Sequence, residues 1–231
     1  MADFNSEREM VAPAAAWLRG RCAQVKNEFV LPWGVCDLMG ATLNRRRAAQ
    51  RLALGQTRAI GPAFRIALLL DIPSTQDGRA KTAGKIEREY DGLVGAERIR
   101  AELDKLEKER FIVQVGRRTY QRVDGWVPLH TRLISVELKL SRVREALSQA
   151  MANQGAADES YVGLPTPIAR AVRSNGLAHE LRDAGIGLVE VGHDSCRVLV
   201  RAKKRASTPD PVTQLHCVER FWRTRPTSSS P

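Results

Sequence analysis

No stretch of this chain approaches the roughly 20 consecutive apolar residues that span a bilayer, and the N-terminus lacks the apolar segment of a signal peptide. The expectation is a cytoplasmic protein with no membrane partner. Cysteine is scarce: Cys22, Cys36, Cys196 and Cys217 lie far apart with no paired spacing, so they read as reduced thiols and not as a zinc site or disulfide framework. His130, His179, His193 and His216 are scattered, and there is no Gly-rich phosphate loop and no Ser/His/Asp arrangement. Acidic residues are also in short supply, 26 against 37 Lys and Arg, which gives a net charge of +11. The sequence pI of about 10.1 points to a polyanionic partner, most commonly nucleic acid. DNA is the expected partner, with RNA and a homodimer left open.

What the chain does contain is organised around Leu133-Ile134-Ser135-Val136-Glu137-Leu138-Lys139-Leu140. Aliphatic and polar residues alternate there with the period of a β-strand, which places Glu137 and Lys139 on one face. An edge strand with a solvated charge pair is the plain structural reading. A metal site is the chemical one, in which the carboxylate binds a divalent cation and the lysine orients water or neutralises a phosphate.

Upstream, Ser6-Glu7-Arg8-Glu9 fits a capping box, with Glu9 reaching back to the cap. The apolar stripe Met10, Ala14, Trp17 and Leu18 follows, interrupted by an awkward Pro13. Residues 22–30 and 35–43 read as two strands around Leu31-Pro32-Trp33-Gly34. Asp37 is the one charge in the second of these, and a buried Asp needs a metal, a base or a hydrogen-bond donor.

From Asn44 the character changes, beginning with Arg45-Arg46-Arg47. Residues 44–127 hold 18 Lys and Arg against 11 Asp and Glu, and so carry +7 of the net charge. Residues 64–70, 81–90 and 96–110 have helical patterns, and 111–123 read as a hairpin with Gly116-Arg117-Arg118 at its tip. This order resembles a winged helix-turn-helix, in which a helix enters a groove and the wing touches backbone. A small helical domain with a solvated charged face has the same pattern.

After Lys139 come a helix over 142–153, a strand over 159–165, an interrupted helix over 168–181, and a closing strand pair at 186–191 and 196–202. A Pro-rich break, a short helix near 212–222 and a disordered Ser/Pro tail complete the expected order, with 206–231 set apart from the rest.

With the insert removed, residues 4–43 and 130–202 resemble the core of the PD-(D/E)XK nuclease superfamily, the restriction-endonuclease-like fold. The resemblance implies an α/β fold whose mixed sheet is flanked by helices, split as 1–43 and 128–205 around the winged-helix-like module at 44–127. It puts the family's Asp on Asp37 and its Glu-x-Lys on Glu137 and Lys139. The helical Glu of some branches falls on Glu7, and the Gln of others on Gln149. Cys36 stands where the motif has proline, and Asp37 and Glu137 lie about 100 residues apart, which requires the middle segment to be inserted between neighbouring strands. Asp124, nearer to Glu137 in sequence, is the rival first acid, although Asp124-Gly125 is a turn pair.

The implied function is a metal-dependent nuclease acting on DNA in restriction, repair or mobile-element defence. Mg²⁺ or Mn²⁺ would be held by Asp37 and Glu137, with Lys139, Gln149 and Glu7 as further catalytic candidates. Arg45, Arg46, Arg47, Arg117, Arg118 and Arg142 are the expected nucleic-acid contacts. The alternative is a non-catalytic DNA-binding protein or regulator built on the same scaffold.

Overall fold

The computed structural model describes residues 4–204 and 210–222, which divide into two compact units. Residues up to Leu43 and from His130 to Gln214 form the first. It is a mixed α/β unit built on a six-stranded sheet in the order β1-β2-β6-β7-β8-β9.

The sheet begins with the hairpin β1 (Gln24–Leu31) and β2 (Gly34–Leu43), as the Pro-Trp-Gly turn suggested. The chain then leaves for the other unit and returns as β6 (His130–Leu138), which pairs antiparallel with β2. β7 (Glu159–Pro165) and β8 (Gly187–Val191) add in parallel, each after a helical crossover, and β9 (Cys196–Val200) closes antiparallel to β8. Parallel strands need such crossovers, and these place helices on the faces of the sheet.

α1 (Glu7–Arg19) covers one face through Met10, Ala14, Trp17 and Leu18, packed with Leu38, Val136, Leu138 and Tyr161. α6 (Val143–Asn153), α7 (Thr166–Ser174) and α8 (Leu177–Ala184) belong to a second core with Val162, Leu164 and Leu188. Pro13 lies inside α1 without ending it. The capping box forms only in part: Glu9 accepts hydrogen bonds from the Asn5 amide and the Ser6 hydroxyl, both at 3.1 Å, and Ser6 caps no amide with its side chain.

The second unit comprises Asn44–Leu129 together with the chain from Leu215. α2 (Arg45–Ala53) starts where the Asn44 side chain accepts from the Arg46 and Arg47 amides. α3 (Ala63–Asp71), β3 (Lys81–Thr82), α4 (Ala83–Glu89), α5 (Ala96–Lys108), β4 (Ile112–Gly116) and β5 (Thr119–Arg122) follow, and the small sheet has the order β3-β5-β4. The segment expected to be helical from residue 81 therefore opens with a two-residue strand instead. Ile66, Leu69, Ile86, Ile99, Leu103, Leu106, Phe111 and Trp126 are buried in this unit.

α9 (Pro211–Glu219) carries the chain into the second unit, where Arg51 and Glu219 form a buried ion pair. The Arg51 guanidinium lies over the Trp126 and Trp222 rings at 4.5 and 4.3 Å and donates to the Arg58 carbonyl at 2.7 Å. Arg51 is the one buried residue of α2, and its partner lies 168 residues away. The expected Pro-rich break and Ser/Pro tail fall mostly outside the described residues.

Candidate active site

The antiparallel register of β2 on β6 pairs Leu38 with Val136, and its next step sets Asp37 opposite Glu137. The two carboxyl groups are close enough for each to shift the other's proton affinity. Asp37 Oδ2 also accepts from the Leu138 amide at 2.7 Å. Glu137 is 2 % exposed and accepts from Asn153 Nδ2 of α6 at 2.5 Å.

Burial, followed by the charge of Asp37, pushes the Glu137 carboxyl up to about 7. Burial raises Asp37 as well, against the opposing pull of the Leu138 amide and Lys139. A buried and a half-buried carboxyl this close resist simultaneous ionisation. The Cys36 thiol beside them is pushed well above its ordinary value, by burial first and then by Glu137, so it stays protonated.

Lys139 stands one residue beyond the end of β6, where both helix layers come within reach. Its ammonium is 3.6 Å from Glu7 Oε2 of α1 and 3.8 Å from Glu145 Oε1 of α6. Arg142 pairs with Glu145 at 2.7 Å and with Glu7 at 3.7 Å. Lys139 and Arg142 therefore share two carboxylates, and Arg142 is not an unpaired cation awaiting a phosphate.

Glu145, Gln149 and Asn153 recur every four residues on α6 and so share one helix face. The outer two touch Lys139 and Glu137, which places Gln149 between them. Its Oε1 is buried and has no hydrogen-bond partner among the described residues.

Asp37 also lines a cleft of about 660 Å³ whose other walls include Glu7, Arg8, Asn27, Glu28 and Leu138. One further step of the β1–β2 register sets Glu28 opposite Asp37. Glu28 has φ of 47°, a left-handed conformation that a non-glycine residue rarely adopts without a local reason. Glu28, Glu145 and Asn153 were not singled out from sequence. The four-residue spacing around Gln149 could have flagged Glu145 and Asn153, whereas Glu28 becomes notable only through strand register.

The remaining candidates lie elsewhere. Asp124 accepts from Ser74 Oγ at 2.7 Å and pairs with Arg122, both in the second unit, so it is a turn-stabilising acid. Arg45 and Arg46 are exposed on α2, while Arg47 donates to the Pro128 carbonyl at 2.5 Å. Arg117 is exposed at the β4–β5 turn, and Arg118 beside it pairs with Glu87 at 2.6 Å. Glu190 of β8 is also a buried charge in an apolar strand, and Arg170 answers it at 2.9 Å. Among the described residues no three of His, Cys, Asp and Glu come together as a group that could hold a metal ion.

No family model matches this chain, and no curated protein matches it. A solved structure of a protein of unknown function from Silicibacter pomeroyi aligns at 16% identity, over 39% of this chain and 60% of that one, with a TM-score of 0.26. At that TM-score the likeness carries no argument about fold or chemistry.

Proposed function

We propose that this chain is a metal-dependent nuclease that hydrolyses DNA phosphodiester bonds, with a PD-(D/E)XK type of core and a winged-helix-like insert. The observation that carries the reading is the meeting of Asp37 and Glu137 across β2 and β6, with Lys139 just past the strand end. The two carboxyls fit a hard divalent cation: both are oxygen donors, burial raises both, and the Asp37 charge raises Glu137 further. Two protein ligands suffice for Mg²⁺ or Mn²⁺, because Mg²⁺ in particular keeps several waters and takes substrate phosphate oxygens. Bound there, the cation would lower the pKa of water and neutralise charge building on the phosphate.

The chain's own residues divide the rest of the work. Glu7 and Glu145 hold the Lys139 ammonium, which orients the attacking water or shields the phosphate. Asn153 holds the Glu137 carboxyl, and Gln149 between these contacts offers an unpaired amide oxygen. In the insert, the element order α3-β3-α4-α5-β4-β5 and the sheet order β3-β5-β4 support a winged-helix reading. α5 carries four basic and four acidic residues, so its own charge is zero. The backbone-contacting cations are better sought on α2 and at the Arg117-Arg118 turn.

The test is incubation of purified protein with single-stranded, duplex and branched DNA in Mg²⁺ or Mn²⁺. Cleavage that stops with EDTA, disappears in Glu137→Gln and Lys139→Ala, and leaves DNA binding intact is the expected result. The second reading, a DNA-binding scaffold without catalysis, is favoured by the pairing of both Lys139 and Arg142 with carboxylates. DNA binding without cleavage of any substrate in either metal would establish it in place of the nuclease.

A further inference from the structure

We infer that the second unit carries a separate ligand site: a cavity of about 530 Å³, lined by Thr57, Arg58, Arg65, Lys105, Lys108 and Glu109, that takes a nucleotide. The ligand class is a phosphate ester bearing a hydroxyl or amine donor. None of these residues belongs to the Asp37–Glu137 site, so the inference stands apart from the nuclease reading.

Three segments converge on the cavity. Residues 55–58 connect α2 to α3, Arg65 lies in the first turn of α3, and Lys105 and Lys108 lie in the last turn of α5. Four cations face one carboxylate in the lining; counting Glu102, which pairs with Arg65 and Lys105, the excess is still two positive charges. The C-terminal end of a helix favours lysines, which accounts for Lys105 and Lys108 without a ligand. It does not account for Arg58 and Arg65, which arrive from other segments, or for the cavity itself.

Arg65 is held in place before any ligand arrives. Its Nε donates to Glu102 at 2.5 Å and its Nη1 to the Ile60 carbonyl at 2.8 Å, with the side chain 12 % exposed. Gly61 (φ 103°) makes that seat available, since a Cβ there would stand 2.9 Å from Arg65 Nη1. A guanidinium fixed by a carboxylate and a carbonyl is suited to phosphate recognition, because its planar fork loses little freedom on binding.

Glu109 supplies the selectivity. It lines the cavity, and its Oε1 lies 4.0 Å from Arg58, beyond hydrogen-bond distance. A bare phosphate would answer the cations and leave that oxygen unpaired. A sugar hydroxyl or base amine would answer it, and the volume falls within the range of small-molecule sites, about 300–1,000 Å³.

The experiment is calorimetric titration of the full chain in EDTA with ADP, inorganic pyrophosphate and a short single-stranded oligonucleotide. ADP is expected to bind saturably and roughly tenfold tighter than pyrophosphate. The exposed double variant Arg58→Glu, Lys108→Glu should lose at least about tenfold in ADP affinity. Glu109→Ala should erase the preference for ADP over pyrophosphate while thermal unfolding shows the unit still folded. Competition between oligonucleotide and ADP would make the nucleotide unit of a nucleic-acid strand the natural ligand; no competition would leave a free nucleotide. Absence of saturable ADP binding up to about 5 mM, or equal ADP binding by wild type and the Arg58→Glu, Lys108→Glu variant, overturns the inference.

Discussion

Glu137 shows what burying a carboxyl does to a protein's response to pH. Burial and the Asp37 charge raise it to about 7, so between its unfolded value of 4.5 and about 7 the folded chain binds more protons than the unfolded chain. Stability is therefore expected to fall as pH rises through that window, by on the order of 3 kcal/mol, and the Asp37 shift acts in the same direction. Metal-free protein should melt several degrees lower near pH 8 than near pH 5.5, and Glu137→Gln should flatten that difference. Mg²⁺ should raise the melting temperature near pH 8 and have little effect near pH 5, where the carboxyl is protonated. Asn153 tests the geometry around the same residue. It accepts from Trp33 Nε1 at 2.9 Å while donating to Glu137, so its amide is held with the NH₂ turned to the carboxyl. Asn153→Leu leaves both partners unpaired, at a cost of about 1–3 kcal/mol, and should change Trp33 fluorescence, which reports the lost indole hydrogen bond.

Between elements, the Arg51–Glu219 pair ties α9 to α2. Glu219 Oε2 accepts from Arg51 at 2.9 Å and from the Ile60 amide at 2.7 Å, so one carboxylate satisfies a buried guanidinium and a loop amide. Removing one partner of such a pair leaves an uncompensated buried charge. Glu219→Ala is expected to cost about 3–5 kcal/mol, read as a lower urea midpoint by Trp126 and Trp222 fluorescence. A combined Arg51→Met, Glu219→Leu replacement should recover much of that loss, because two apolar groups carry no desolvation penalty. If the single variant melts like wild type, the C-terminal segment does not support the insert in solution.

Across the whole molecule, the +11 charge bears on binding more than on folding. Each phosphate neutralised by Lys or Arg releases counterions, so affinity for duplex DNA should fall steeply with salt. Arg117→Ala removes one exposed cation at the β4–β5 turn. Electrophoretic mobility shifts over a salt series should show the slope reduced by about one, with a similar loss on every DNA sequence. An unchanged slope would move the contact surface away from the turn, and Arg45→Ala on α2 would be the next variant. No helix among the described residues is long and apolar enough to cross a membrane.

Local periodicity determined much of the first unit from sequence alone. The alternation of β6, the apolar stripe of α1, the Pro-Trp-Gly turn and the break between α7 and α8 each depend on residues within a few positions of one another. The same reasoning marked Asp37, since a lone carboxylate in an apolar strand needs a local answer. Tertiary structure decided which groups meet. Strand register set Asp37 beside Glu137 and Glu28 beside Asp37, helix docking brought Asn153 to Glu137 and Glu7 and Glu145 to Lys139, and α9 found Arg51 across 168 residues. None of these pairings has a sequence period, because each is fixed by burying two distant apolar faces together, and the polar partners follow from that packing.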